Sequence, residues 1–117
     1  MKLSINEKFR KAFFYKNYFE KFFIQQNNRV KGKILWTIGL IEDVEIVPTI
    51  YLKYISDSEG LYEIRIKTGS DIFRIFCFFD KENIIVIGNG FQKKTQKTPK
   101  NEIIKAIQIK LNYENEK

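Results

Sequence analysis

The sequence predicts an α+β domain in which an antiparallel sheet is covered by an N-terminal helix pair and a C-terminal helix. Three observations carry that expectation. Strand-like runs joined by tight turns crowd the stretch 61–91. Apolar residues recur at intervals of three and four both before and after it. The connections inside the stretch are too short for a crossover helix, so neighbouring strands must run antiparallel. A length of 117 residues suits one domain spanning 1–117, and a hydrophobic content of 44% lets burial drive folding.

Taken in order, KFRKAFF (8–14) reads as a short strand. Over 15–26 the spacing turns helical: Tyr15, Tyr18, Phe19, Phe22 and Phe23 form one stripe. Such a stripe suits base stacking, but core packing is the commoner use. Asn27-Asn28 reads as a break before a second helix over 29–44, with Val30, Ile34, Ile38 and Ile41 inward. Gly32 and Gly39 each weaken that helix by about 1 kcal/mol relative to Ala, so it must lean on packing. Pro48 closes the region, and TIYLKYI (49–55) is either a strand or a loop crossing onto the sheet. SDSEG (56–60) is a turn cluster.

The sheet follows. Residues 61–67 alternate, with Leu61, Glu63, Arg65 and Lys67 on one side and Tyr62, Ile64 and Ile66 on the other. Gly69-Ser70 is a two-residue hairpin loop. Residues 71–79 are apolar on both sides, as a central strand is. DKEN (80–83) makes the second turn, and 84–87 the third strand, continuing to Phe91. Thr98 as N-cap and Pro99 at the first helical position open the last helix. Ile103, Ile104, Ile107 and Leu111 supply its inner side, and the polar tail NYENEK is expected to fray.

The hairpin loop pairs Thr68 with Asp71 and sets Arg65 opposite Arg74 on the same face. Like charges directly opposite destabilise a hairpin. An anion held by both guanidiniums relieves that, as does a carboxylate such as Glu63 or escape to solvent. If DKEN pairs Phe79 with Ile84, Asn89 also comes beside Arg74. Beyond the sheet, Lys93, Lys94, Lys97 and Lys100 put four lysines into eight residues, with Phe91 alongside. They read as a phosphate-binding segment with a stacking ring, or as a solvated loop. Crowded lysines also depress one another's pKa.

Lys and Arg outnumber Asp and Glu by 21 to 14, a formal charge of +7 that favours an anionic partner: RNA, DNA, an acidic protein or a membrane surface. With one cysteine, Cys77, and no histidine, an internal disulfide and a Cys/His zinc site are excluded. Apolar neighbours make Cys77 a core residue. No apolar run reaches the ~18 residues of a membrane span. Charges run through the opening MKLSINEKFRKAFF, so it is not expected to be a secretory signal, and a reducing, cytoplasmic setting is expected.

The stretch GLYEIRIKTGSDIFRIFCFF…GFQKKTQKTPKNEIIKAI resembles the phage-derived branch of the RelE/HigB toxins of bacterial type II toxin–antitoxin systems. The resemblance rests on Gly60, Leu61, Glu63, Ile64 and Arg65, on Phe73, Arg74 and Phe79, and on the run from Gly90 to Ala106 that includes Lys93, Lys94, Thr95, Lys97, Thr98, Pro99 and Glu102. It implies a RelE-like fold and a toxin neutralised by a cognate antitoxin, commonly of helix-turn-helix type. It also implies cleavage of mRNA on the ribosome without metal or other cofactor, by attack of the substrate's own 2′-hydroxyl on the adjacent phosphate. Arg65 and Arg74 match residues expected to hold the phosphate and its transition-state charge, with Lys93 and Lys94 as further catalytic candidates. Lys53, Asn89, Phe91, Lys97 and Lys100 are expected to contact RNA. Relatives use His or Tyr for proton transfer. Here His is absent and Phe91 lacks a hydroxyl, which leaves Lys or a tyrosine such as Tyr62 or Tyr51. A ParE-like protein that inhibits a target such as gyrase without chemistry, and a plain basic nucleic-acid-binding module, are the alternatives.

Overall fold

The computed structural model describes residues 8–81 and 83–117. The opening segment 1–7, on which the leader reading rests in part, and position 82 of the DKEN turn lie outside the described residues. The element order is β1 (Lys11–Phe14), α1 (Tyr18–Phe23), α2 (Asn28–Asp43), β2 (Leu52–Tyr54), β3 (Tyr62–Thr68), β4 (Asp71–Asp80), β5 (Ile84–Lys93) and α3 (Lys100–Asn115). The strands form one sheet in the order β1-β5-β4-β3-β2. The pairs β2–β3, β3–β4 and β4–β5 are antiparallel, as the short turns require. KFRKAFF does supply a strand, but β1 pairs parallel with β5, which makes the sheet mixed.

Alternation along β3 and β4 divides the apolar residues between two faces. On one, Ile64, Ile66, Phe73, Ile75, Cys77, Ile85 and Ile87 pack beneath Phe19 and Phe22 of α1 and Val30, Ile34, Ile38 and Ile41 of α2. On the other, Leu61, Phe76, Phe78 and Val86 meet Ala106 and Ile109 of α3. The four inner residues expected of α2 are all buried, and Thr37 joins them by donating its hydroxyl to the Lys33 carbonyl, 2.7 Å away. Asn27 is this helix's N-cap: its side-chain oxygen accepts from the Val30 N–H at 2.9 Å. Cys77 is fully buried and burial pushes its thiol pKa well up, as expected of a core residue.

Several local expectations give way to packing. The first helix is shorter than 15–26, because Lys16 adopts φ +53°, a left-handed conformation that interrupts any helix. Tyr15 and Tyr18 therefore pack with the α3 cluster, while Phe19, Phe22 and Phe23 pack with α2. The two N-terminal helices thus lie against the sheet, α1 on β5 and α2 on β3, more than against each other. Residues 49–55 supply only the three-residue β2.

At α3, Thr98 does not cap. Pro99 occupies the cap position with extended backbone, and its carbonyl accepts from Glu102 and Ile103 instead. The inner side of α3 runs through Ile103, Ala106, Ile107, Ile109 and Tyr113, Ile103 and Ile107 as expected; Ile104 and Leu111, also expected inside, are exposed. The apolar residues of α3 occupy more than one side, and the sheet selects among them. Its tail does not fray. Tyr113 donates to Asp80, Lys117 pairs with Asp80 at 2.9 Å, Lys16 pairs with Glu116 at 3.1 Å, and the Tyr15 hydroxyl donates to Glu116.

The Tyr113 hydroxyl, then Lys117, hold the Asp80 carboxyl below its usual range, and the same bond lifts the Tyr113 phenol to about 12. A depressed carboxylate stabilises the fold above its unfolded pKa, near ~4, and loses that contribution as pH falls through the lower folded value. Tyr113→Phe is therefore expected to lower the thermal midpoint at neutral pH, with the gap to wild type closing as pH falls through the depressed Asp80 value. A gap unchanged in acid would assign the loss to packing instead, which thermal melts across pH can decide.

Candidate anion-binding site

The face covered by α3 continues towards the Gly69-Ser70 hairpin, where its residues change from apolar to charged. Along β4, Phe78 and Phe76 give way to Arg74; along β3, Leu61 gives way to Glu63, Arg65 and Lys67. Gly69 takes φ +60°, which closes the two-residue loop. The register follows: Thr68 lies opposite Asp71 and Arg65 opposite Arg74, as read from the turn.

Between the two guanidiniums stands Glu63. Its Oε1 lies 3.5 Å from Nε of Arg65 and 3.5 Å from Nε of Arg74, and the side chains of Glu63 and Arg74 are 10% and 7% exposed. At 3.5 Å these are ion pairs without good hydrogen bonds, and neither Nε has a hydrogen-bond partner among the described residues. Arg74 spends Nη1 on the Phe73 carbonyl at 3.1 Å, and Arg65 reaches the Thr49 carbonyl at 3.5 Å. One carboxylate thus faces two cations, leaving an excess positive charge in a largely dehydrated place. Burial lowers the Arg74 pKa, Glu63 opposes this, and Arg65 adds to it.

The remaining predicted residues group around this pair to different degrees. Lys93 ends β5 opposite Ile72, and its pKa is lowered by burial first and Arg74 second. Its neighbours in the lysine run are not among the causes, so crowding within KKTQK is not what acts on it. Lys53 lies opposite Glu63 on β2 and is exposed. Lys94 lines a cavity of about 580 Å³ with Lys93, Gln92, Thr95 and Asp71. Lys97 and Lys100 are exposed beyond it. Phe91 lies opposite Arg74, its ring stacked on Phe76 with centroids 5.6 Å apart and planes 25° apart.

Asn89 is not beside Arg74. The second turn pairs Asp80, not Phe79, with Ile84, and a bulge then sets Gly88 and Asn89 against the single Phe76. Both shifts move β5 in the same sense, which brings Phe91 to the position expected for Asn89. The two tyrosines also separate. Tyr62 lies on the opposite face, edge-on to Tyr54 and Phe79. Tyr51 lines a cavity of about 560 Å³ with both arginines and Lys33 of α2.

Sequence reasoning named Glu63 only as an ion-pair partner and did not find Lys33. The signal for Glu63 was its position two residues before Arg65 on an alternating strand. For Lys33 no sequence signal existed, because α2 reaches the site only through the tertiary fold.

The family model described as Phage derived protein Gp49-like (DUF891) matches residues 21–110 of this sequence, and the chain belongs to that family. The match spans every candidate residue from Lys53 to Lys100. No curated protein matches the sequence.

Removing the Glu63 charge leaves two guanidiniums facing each other. Breaking a buried ion pair from one side costs roughly 3 kcal/mol. Glu63→Gln is therefore expected to lower stability by about that amount, and inorganic phosphate should restore more of the loss than it adds to wild type. Urea unfolding with and without phosphate reads both effects; equal responses in the two proteins would argue against an anion seat at Arg65 and Arg74.

Proposed function

We propose that this protein is the toxin of a type II toxin–antitoxin system, acting in the cytoplasm as a metal-independent endoribonuclease on ribosome-associated mRNA. The observation that supports it most is the Arg65–Arg74 pair, with excess positive charge beside Lys93, in a chain of the Gp49-like family, which is associated with RelE-like toxins. Cleavage by the substrate's own 2′-hydroxyl needs positive charge on the phosphorane and proton transfers at both ends. The 2′-oxygen attacks phosphorus while the bond to the 5′-oxygen breaks, leaving a 2′,3′-cyclic phosphate and a 5′-hydroxyl.

In this reading Arg65 and Arg74 hold the non-bridging oxygens, exchanging part of their contact with Glu63 for the substrate. Lys93 protonates the leaving 5′-oxygen, a role that a lysine below its ordinary pKa performs more readily. Among the described residues, Tyr51 is the one titratable side chain lining the arginine cavity that is not a cation, and it takes the role of handling the 2′-hydroxyl proton. Lys53, Lys94, Lys97 and Lys100 carry flanking phosphates, whose neutralisation makes binding steeply salt-dependent. The antitoxin, of helix-turn-helix type by family resemblance, covers the exposed apolar residues of α2 and the segment after it: Leu35, Trp36, Ile46 and Ile50.

Induced expression tests the reading. Wild type should arrest growth and generate new mRNA 5′ ends bearing hydroxyls. Arg74→Ala, folded and equally abundant, should cut at least ~100-fold more slowly, the loss typical of removing one charge-stabilising donor. Arrest without new ends would redirect the function to ParE-like inhibition of a target such as gyrase. A folded protein that neither arrests growth nor cuts would leave a basic nucleic-acid-binding module.

A further inference from the structure

A third cavity opens on the flank of Phe91 away from Arg74. Because β1 pairs only with Ile84–Ile87, the outer edge of β5 from Gly88 onward has no strand beside it among the described residues. Here α1 lies close to the edge: a Cβ on Gly90 would meet the Phe22 ring at 2.6 Å, so only glycine permits the approach. The cleft between this edge, α1 and α3 measures about 560 Å³ and is lined by Tyr18, Phe22, Gln25, Asn89, Phe91 and Lys105, among others.

Asn89 is the feature that asks for a ligand. The residue is 3% exposed, and neither its amide nitrogen nor its oxygen has a hydrogen-bond partner among the described residues. Buried carboxamides are nearly always paired. A carboxamide presents a donor and an acceptor side by side in one plane, the pattern that complements the edge of a nucleobase. Aromatic rings line the same cleft, and every base has a face to stack. An aliphatic ligand would leave the amide unpaired, and a bare anion would use the lysines but none of the rings. The cleft is also adjacent to the arginines, since Phe91 lies directly opposite Arg74 in the β4–β5 ladder.

We propose that this cleft holds one nucleobase of a single-stranded RNA, stacked on Phe91 and read at its edge by the Asn89 carboxamide. The inference rests on the RNA-cleaving reading of the arginine site, and it narrows Asn89 from an RNA contact of no stated kind to a base contact. Arg74 then grips the backbone on one side of Phe91 while Asn89 reads a base on the other.

The test is fluorescence anisotropy with the full chain and 5′-labelled RNA tetranucleotides carrying 2′-O-methyl groups, which block cleavage. A parallel set replaces one base at a time by an abasic sugar. Loss of the base at one position should weaken binding by ~10-fold or more, the usual consequence of losing one stack. Asn89→Leu should narrow that difference and flatten preference among the bases, while its thermal midpoint stays at or above wild type because an unpaired amide has been removed. Arg74→Ala should weaken every oligonucleotide, abasic ones included. Abasic and intact strands binding alike to wild type, or base preference surviving in Asn89→Leu, would overturn the inference. So would mononucleotides binding as tightly as the strand, or no binding of any oligonucleotide. Arg74→Ala binding as well as wild type, with the base effect intact, would instead sink the arginine reading and leave the base cleft standing.

Discussion

Glu63 lies within 3.5 Å of two guanidiniums that the hairpin forces to face each other, and much of the surrounding structure is arranged to make that tolerable. Without it, Arg65 and Arg74 would repel across the ladder of the central strands. With it, the cluster still carries an excess positive charge, and neither Nε is hydrogen-bonded among the described residues. Such a cluster costs stability compared with an apolar core of the same size. It is held by the strands on either side, β2 carrying Lys53 against Glu63 and β5 carrying Phe91 against Arg74.

The same constraint divides the sheet. One face is apolar where it supports α1 and α2, from Ile85 and Cys77 to Ile66 and Phe73. The other is apolar only under α3 and then turns charged towards the hairpin. The C-terminal helix leaves that end clear because its own end is anchored elsewhere. Tyr113 and Lys117 bind Asp80 at the far end of β4, and Glu116 accepts from Tyr15 beside β1. A tail that composition suggests should fray therefore helps to set where the open part of the sheet begins.

A single extra residue in β5 gives the two candidate sites their relation. The bulge at Gly88 and Asn89 lets Phe91 face Arg74 while Asn89 lines the cleft beneath α1. Phe91 is thereby shared: its ring rests on Phe76, its strand partner is Arg74, and it forms part of the neighbouring cavity wall. Bulges that re-aim side chains in this way are common beside binding sites.

Short-range physics made much of this molecule legible from sequence. Alternation placed Glu63, Arg65 and Lys67 on one face, the glycine-first loop set Arg65 against Arg74, and the spacing of Val30, Ile34, Ile38 and Ile41 identified the inner side of α2. Each of these depends on residues close in the chain, whose geometry is dictated by backbone period and turn chemistry. The sequence did not reveal the parallel pairing of β1, the bulge that moved Asn89 away from Arg74, the burial of Ala106 and Ile109 on α3, or the contribution of Lys33 to the arginine cavity, and it left open the choice between Tyr62 and Tyr51, of which the fold puts Tyr51 beside the arginines. Those depend on which of several similar apolar residues finds a partner, and on where an edge strand happens to end. By itself, then, the sequence determined the hairpin, its facing arginines and the elements around it. The tertiary structure alone decided what stands beside those arginines, because contacts between distant segments are chosen by packing rather than by local pattern.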